Sequence, residues 1–165
     1  MLELETRPMT WQDVLDDPSL QDLPYKIELD GKGRILMSPV TRFHALFQAK
    51  FIELLMILKP NGLRISECPV QTRLGVRVPD AAWISHERNA IQVGNIFSVA
   101  PEICVEILSP SNTAVEMLEK SALYFEAGAV EVWTCDLQGN VKFFVPAGEL
   151  ERSVLVPNFP LLITV

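Results

Sequence analysis

Val78-Pro79-Asp80-Ala81-Ala82-Trp83, read together with Ile103-Cys104-Val105-Glu106-Ile107-Leu108-Ser109-Pro110-Ser111-Asn112, decides how this chain is understood. Each stretch is a run of strand-forming residues carrying one carboxylate in an otherwise apolar line. A buried charge is costly unless it is paired or binds a metal. Two such carboxylates on two core strands therefore predict a shared site for a hard cation. A metal-dependent hydrolase is the first candidate class, and a nuclease leads within it.

The rest of the chain sets the frame. Its 165 residues predict one domain, and 48% hydrophobic content is enough for a sizeable core. A net charge of -7 argues against a protein that coats nucleic acid. It leaves a nuclease open, because site carboxylates add negative charge and basic residues can cluster locally. Cys68, Cys104 and Cys135 form neither a disulfide framework nor a zinc pattern. Core packing of Cys104 and Cys135 and a reducing, cytoplasmic location are expected. Met1-Leu-Glu-Leu-Glu has no signal-peptide pattern, and Leu54–Leu58 is too short to span a bilayer, so no membrane association is expected.

Local signals give the element order. Thr10 caps a short helix through Trp11, Val14 and Leu15, ended near Pro18. Tyr25–Leu29 and Arg34–Met37 flank Asp30-Gly31-Lys32-Gly33, a hairpin signal. A long helix is expected from about Thr41 to Leu58. Phe43, Phe47, Leu54 and Leu58 form one stripe, and Ala45, Ala49, Ile52 and Met56 a second. A helix apolar on two sides is deeply buried or covered by a partner chain. Strands are expected at 63–66, 70–74 and 76–84, with a short helix or irregular segment over 85–93 and a loop over 94–101. Ile103–Leu108 is a buried strand, and Thr113 with Glu116 opens a helix by a capping box. Strands at 130–135 and 141–145 follow, with edge strands in the proline-bearing tail. This order predicts an α/β (α+β) fold with a mixed sheet flanked by helices.

The chemistry centres on Asp80, Glu106 and Lys120. Mg²⁺ takes oxygen ligands, usually one or two carboxylates completed by water and phosphate oxygens. Such an ion activates water and neutralises charge on a phosphodiester. A lysine nearby can hold the water or stabilise the phosphate. On helix spacing alone, Lys120 reads as a surface partner of Glu116. By the same physics Glu28 reads as a solvent-facing strand residue.

An ordered set of pieces changes that weighting. Tyr25-Lys-Ile-Glu-Leu-Asp-Gly, Met37-Ser-Pro, His44, Pro79-Asp80, Glu106-Ile-Leu-Ser-Pro-Ser-Asn112, Glu119-Lys120, Leu123-Tyr124-Phe125-Glu-Ala-Gly128 and Glu131-Val-Trp133 run from about Thr10 to Phe144. In order and spacing they resemble the Uma family of restriction-endonuclease-like proteins, part of the PD-(D/E)xK nuclease superfamily. The resemblance implies a single restriction-endonuclease-like domain over residues 1–165. It also implies a divalent-metal site and Mg²⁺, or Mn²⁺, as cofactor. Asp80 would be the acid of the "PD" element and Glu106 that of the "(D/E)xK" element. The superfamily's lysine, two residues on, is replaced here by Leu108 and moves to Lys120. Glu28 matches an early acidic residue of the family, expected to bind the ion or a ligand water.

The expected metal ligands are Asp80, Glu106 and the carbonyl of Ile107. DNA is the expected substrate and would have to meet basic residues such as Arg34, Arg42, Arg73, Arg77 and Lys142. Three readings follow: an endonuclease, a degenerate nuclease fold acting as a binding or regulatory module, and a structural homodimer with a vestigial pocket. A homodimer is compatible with cutting two strands. His44 is more often a structural residue than a ligand, and Tyr124 either orients Lys120 or simply packs. Glu67 is a weaker candidate for the cluster.

Overall fold

A computed structural model describes residues 7–165. The signal-peptide reading of Met1-Leu-Glu-Leu-Glu lies outside the described residues. Helix α1 (Trp11–Asp16) starts at Thr10, which forms a reciprocal capping box with Asp13. A short 3-10 turn, Pro18–Leu20, follows. Strands β1 (Tyr25–Leu29) and β2 (Ile35–Pro39) form an antiparallel hairpin, a sheet of its own. Helix α2 (Arg42–Leu58) is capped by Thr41.

Next come β3 (Leu63–Ser66), the small hairpin β4 (Val70–Thr72) and β5 (Gly75–Arg77), and β6 (Ala81–Ile84). Helix α3 (His86–Ala90) precedes β7 (Ile103–Ile107). Helix α4 (Ala114–Glu126) leads to β8 (Glu131–Cys135), β9 (Val141–Val145) and β10 (Gly148–Leu150).

The central sheet is six-stranded and mixed, in the order β10-β9-β8-β7-β6-β3. Only β7 and β8 pair in parallel within it, joined by α4. A parallel pair needs a crossover, which is why a helix is spliced between these two strands. Both strands are buried along their whole length, as expected of strands covered on both faces.

The period-2 alternation sorts their side chains into two cores. Ile103, Val105, Ile107, Trp133 and Cys135 join Phe47, Phe51 and Leu55 of α2 on one face. Cys104 and Val132 join Tyr124 of α4 on the other. Trp133 anchors the first core, with Phe143 edge-on at 5.1 Å and Phe159 at 4.6 Å between ring centres.

Three elements differ from the sequence reading. The strand expected over 76–84 breaks at Val78-Pro79-Asp80, because Pro79 cannot donate to a ladder. In α2 the buried line is Phe47-Phe51-Leu55, while Phe43 and Met56 are about half exposed. An apolar residue on nearly every side leaves the phase of the stripe undetermined by spacing. In the tail, only β10 pairs as an edge strand. Beyond it Val156, Phe159 and Ile163 drop side chains into the core from irregular backbone.

Glu131 makes that docking possible. It is fully buried and accepts from Trp133 Nε1, Ser153 Oγ and the amides of Val154 and Leu155, all within 2.9 Å. Four donors satisfy a carboxylate that would otherwise be costly to bury. None of the helices is long and apolar enough to cross a membrane, among the described residues.

Candidate active site

Asp80 sits at the Pro79 break, one residue before β6. Its own amide still pairs with Val105 O at 2.9 Å, so the β6–β7 ladder fixes its backbone. Its Oδ2 accepts from Ile107 N at 2.7 Å, and its Oδ1 accepts from Lys26 Nζ at 2.9 Å. His44 Nε2 lies 2.8 Å from the same Oδ1, delivered by the first turn of α2. Burial works to raise the Asp80 carboxyl. The His44 bond, the Lys26 ammonium and the Ile107 amide outweigh it and hold the group at about 2.

Glu106 shares its β7 face with Cys104, and so points to the α4 side. Tyr124 donates to its Oε1 at 2.6 Å, and Lys120 Nζ reaches the same oxygen at 3.0 Å. Its Oε2 lies 3.5 Å from Lys26 Nζ. Burial pushes this carboxyl upward, against the pull of Lys120 and Lys26. The Tyr124 hydroxyl is pushed far up by burial and by Glu106, and so stays a donor.

Glu28, on β1, accepts from Val78 N at 2.7 Å and from Lys120 at 3.0 Å. Burial opposes its ionisation, but Lys120 and Lys26 prevail and lower its pKa. Lys26 is two residues away on the same face of β1 and also donates to Val78 O at 3.1 Å. Burial disfavours its charge, yet Glu106, Asp80 and Glu28 raise its pKa.

The structure thus brings Glu28, Asp80, Glu106 and Lys120 into one cluster. It places Lys120 away from Glu116, whose carboxylate instead caps Thr113 N at 2.8 Å. His44 and Tyr124 join the cluster by direct contact. Ile107 meets it through its N–H. Glu67 takes no part; it is exposed and holds a positive φ of 51°. Sequence reasoning missed Lys26. The signal was its i,i+2 relation to Glu28, which puts both on one face of a strand.

The donor set suits a hard divalent ion. Asp80 and Glu106 offer carboxylate oxygens from neighbouring strands, and both already converge on one cationic centre, the Lys26 ammonium. No three His, Cys, Asp or Glu side chains surround a common point among the described residues. Mg²⁺ does not require that, since it keeps several waters and binds through one or two carboxylates.

Four of the five basic residues considered for DNA are engaged locally. Arg34 pairs with Asp30 at 2.6 Å, Arg73 with Glu126 at 2.9 Å and Lys142 with Glu149 at 3.5 Å. Arg77 donates to Leu29 O, and the fifth, Arg42, lies over the ring of Phe43.

A mixed sheet flanked by helices, with two carboxylates from adjacent strands and a lysine from the next helix, defines a restriction-endonuclease-like protein. The chain matches the Uma2 family, described as a putative restriction endonuclease, over residues 11–155, and it belongs to that family. Among solved structures it is similar to a putative nuclease of the DUF820 group from Anabaena variabilis. The TM-score is 0.70 at 18% identity, covering 94% of this chain and 95% of that one. At that identity the likeness establishes the fold. No curated protein matches the chain.

Proposed function

We propose that this protein is a divalent-metal-dependent endonuclease that hydrolyses DNA phosphodiester bonds. The observation that carries this reading is the convergence of Asp80 and Glu106 on one cationic centre, with Lys120 held against Glu106 at 3.0 Å. Membership of a family of restriction-endonuclease type supports it.

In this reading Asp80 and Glu106, with the carbonyl of Ile107, hold Mg²⁺ or Mn²⁺ in a PD-(D/E)xK-type site. When bound, the ion supplies a polarised water and charge neutralisation at the phosphate. Lys120 positions the attacking water or meets the developing negative charge from the helix side. Glu28 holds a ligand water and steers Lys120. His44 and Tyr124 lock the two carboxylates in orientation. We further propose that the chain works as one domain, in the cytoplasm, and as a homodimer. Exposed Phe43, Leu46 and Ile57 on the outer side of α2 supply apolar surface for the partner copy, and sedimentation analysis tests this.

A second reading is a nuclease-fold module that binds without cutting. The lysines already paired with the carboxylates, and the local engagement of Arg34, Arg73, Arg77 and Lys142, favour it. The two readings separate in one assay: cleavage of supercoiled plasmid and short single-stranded DNA with Mg²⁺ or Mn²⁺. Metal-dependent cutting, abolished by Asp80→Ala, Glu106→Ala and Lys120→Ala, supports the endonuclease. Cutting that survives Glu106→Ala rejects the site. An inactive wild type that still binds metal supports the module.

A further inference from the structure

We propose that Lys26 is the built-in counter-cation of the Asp80–Glu106 pair, and that a divalent ion enters the pair by displacing its ammonium. The proposal rests on the metal-dependent reading above and assigns a role to the residue that marks the ion's position there but has no part in its chemistry.

Position is the first argument. Lys26 Nζ stands 2.9 Å from Asp80 Oδ1 and 3.5 Å from Glu106 Oε2, the point on which both carboxylates close. An ion bridging the two acids at Mg²⁺ bond lengths of about 2.0–2.1 Å cannot share that point with an ammonium. Lys120 does not compete in the same way, because it approaches Glu106 from the opposite oxygen and is shared with Glu28.

Charge is the second argument. Asp80, Glu106 and Glu28 bring three negative charges, and Lys26 and Lys120 bring two positive ones, leaving one net negative charge. A divalent ion added beside both lysines would leave the buried cluster positive. With Lys26 withdrawn, the same ion leaves it neutral. Uncompensated charge in a buried space is unfavourable, so the exchange of one cation for the other is the balanced route.

The third argument is that Lys26 has somewhere to go. It sits on β1, in a hairpin outside the six-stranded sheet, so its movement breaks no pairing of that sheet. It also lines a cleft of about 710 Å³ between α1, the 3-10 turn and β1. Lys26 is held by Asp80, Glu106 and the Val78 carbonyl. The two carboxylate contacts are those a metal would take over.

The test is Mn²⁺ titration by calorimetry on the full chain, wild type beside Lys26→Met. It is paired with amine acetylation of the wild type, with and without Mn²⁺, read at Lys26 by mass spectrometry. Displacement predicts about tenfold or greater tightening of Mn²⁺ binding in Lys26→Met. It also predicts that Mn²⁺ makes a protected Lys26 reactive. Binding by Lys26→Met alone supports the proposal as well. Equal or weaker Mn²⁺ binding in a folded Lys26→Met overturns displacement and leaves the metal site standing. So does Mn²⁺ binding to wild type with Lys26 labelling unchanged. No Mn²⁺ binding by either protein overturns both the displacement and the metal-dependent reading. Should Lys26→Met fail to fold, the labelling of the wild type decides alone.

Discussion

Tyr124 and Glu106 meet through one hydrogen bond of 2.6 Å, phenol to carboxylate, in a space with no measurable solvent exposure at the tyrosine. The bond joins the last turn of α4 to the end of β7 and shares its acceptor oxygen with Lys120. Tyr124→Phe keeps the ring packing and deletes only the donor. A hydrogen bond to a charged group contributes about 1.5–3 kcal/mol, so urea unfolding should show a loss in that range with the fold retained. An unchanged midpoint would mean that the tyrosine merely packs.

Lys120→Met leaves Glu28 and Glu106 sharing Lys26 alone. Removing one partner of a buried ion pair costs about 3–5 kcal/mol, because the remaining charge is left uncompensated. Chemical denaturation checks the magnitude. A surface lysine paired with Glu116 would show no more than about 1 kcal/mol, so the result discriminates between the two placements.

Glu131→Gln should loosen the tail while sparing the carboxylate cluster. The amide keeps one acceptor, and its nitrogen must face either the Val154 and Leu155 amides or the Trp133 indole N–H, all of which can only donate. Loss of hydrogen-exchange protection at Val154 and Leu155, or at the Trp133 indole N–H, is the expected signature. Retained protection at both amides and at the Trp133 indole N–H would refute the clamp.

Stability should fall in acid through Asp80. The folded carboxyl is held at about 2, below its ordinary 3.8. A depressed carboxylate stabilises the fold fully above its unfolded value, and this contribution is lost as pH falls from about 3.8 through about 2. Melting temperature against pH in that window should be steeper for wild type than for Asp80→Asn. Parallel curves would show that Asp80 is not so held.

The three cysteines should resist alkylation in the folded protein. All are buried and unpaired. Burial raises each thiol, Cys135 to about 12. Iodoacetamide at mildly alkaline pH should label none until denaturant is added. Labelling of any one in native buffer would place it at the surface or in a locally opening segment.

Much of this molecule could be read before its structure. Capping residues, glycine turns and continuous apolar runs marked α1, α4, β7 and β8, because those signals are local. The phase of α2 was not legible, since apolar residues cover nearly its whole circumference and only the neighbouring sheet selects Phe51 and Leu55. Glu106 stood out because a carboxylate within Val, Ile and Leu has few innocent explanations. Glu28 and Lys120 looked like surface residues by spacing, and only the family pattern argued otherwise. Their burial depends on partners far away in sequence. Lys26 escaped for the same reason, and so did the four-donor clamp around Glu131.

The β1–β2 hairpin carries a consequence for synthesis. Lys26 and Glu28 leave the ribosome well before their partners Asp80, Glu106 and Lys120. Until α4 is made, a nascent chain has the acids of the cluster without the ammonium that Glu28 and Glu106 share. The cluster therefore reaches its full charge complement only once α4 has joined the strands that precede it.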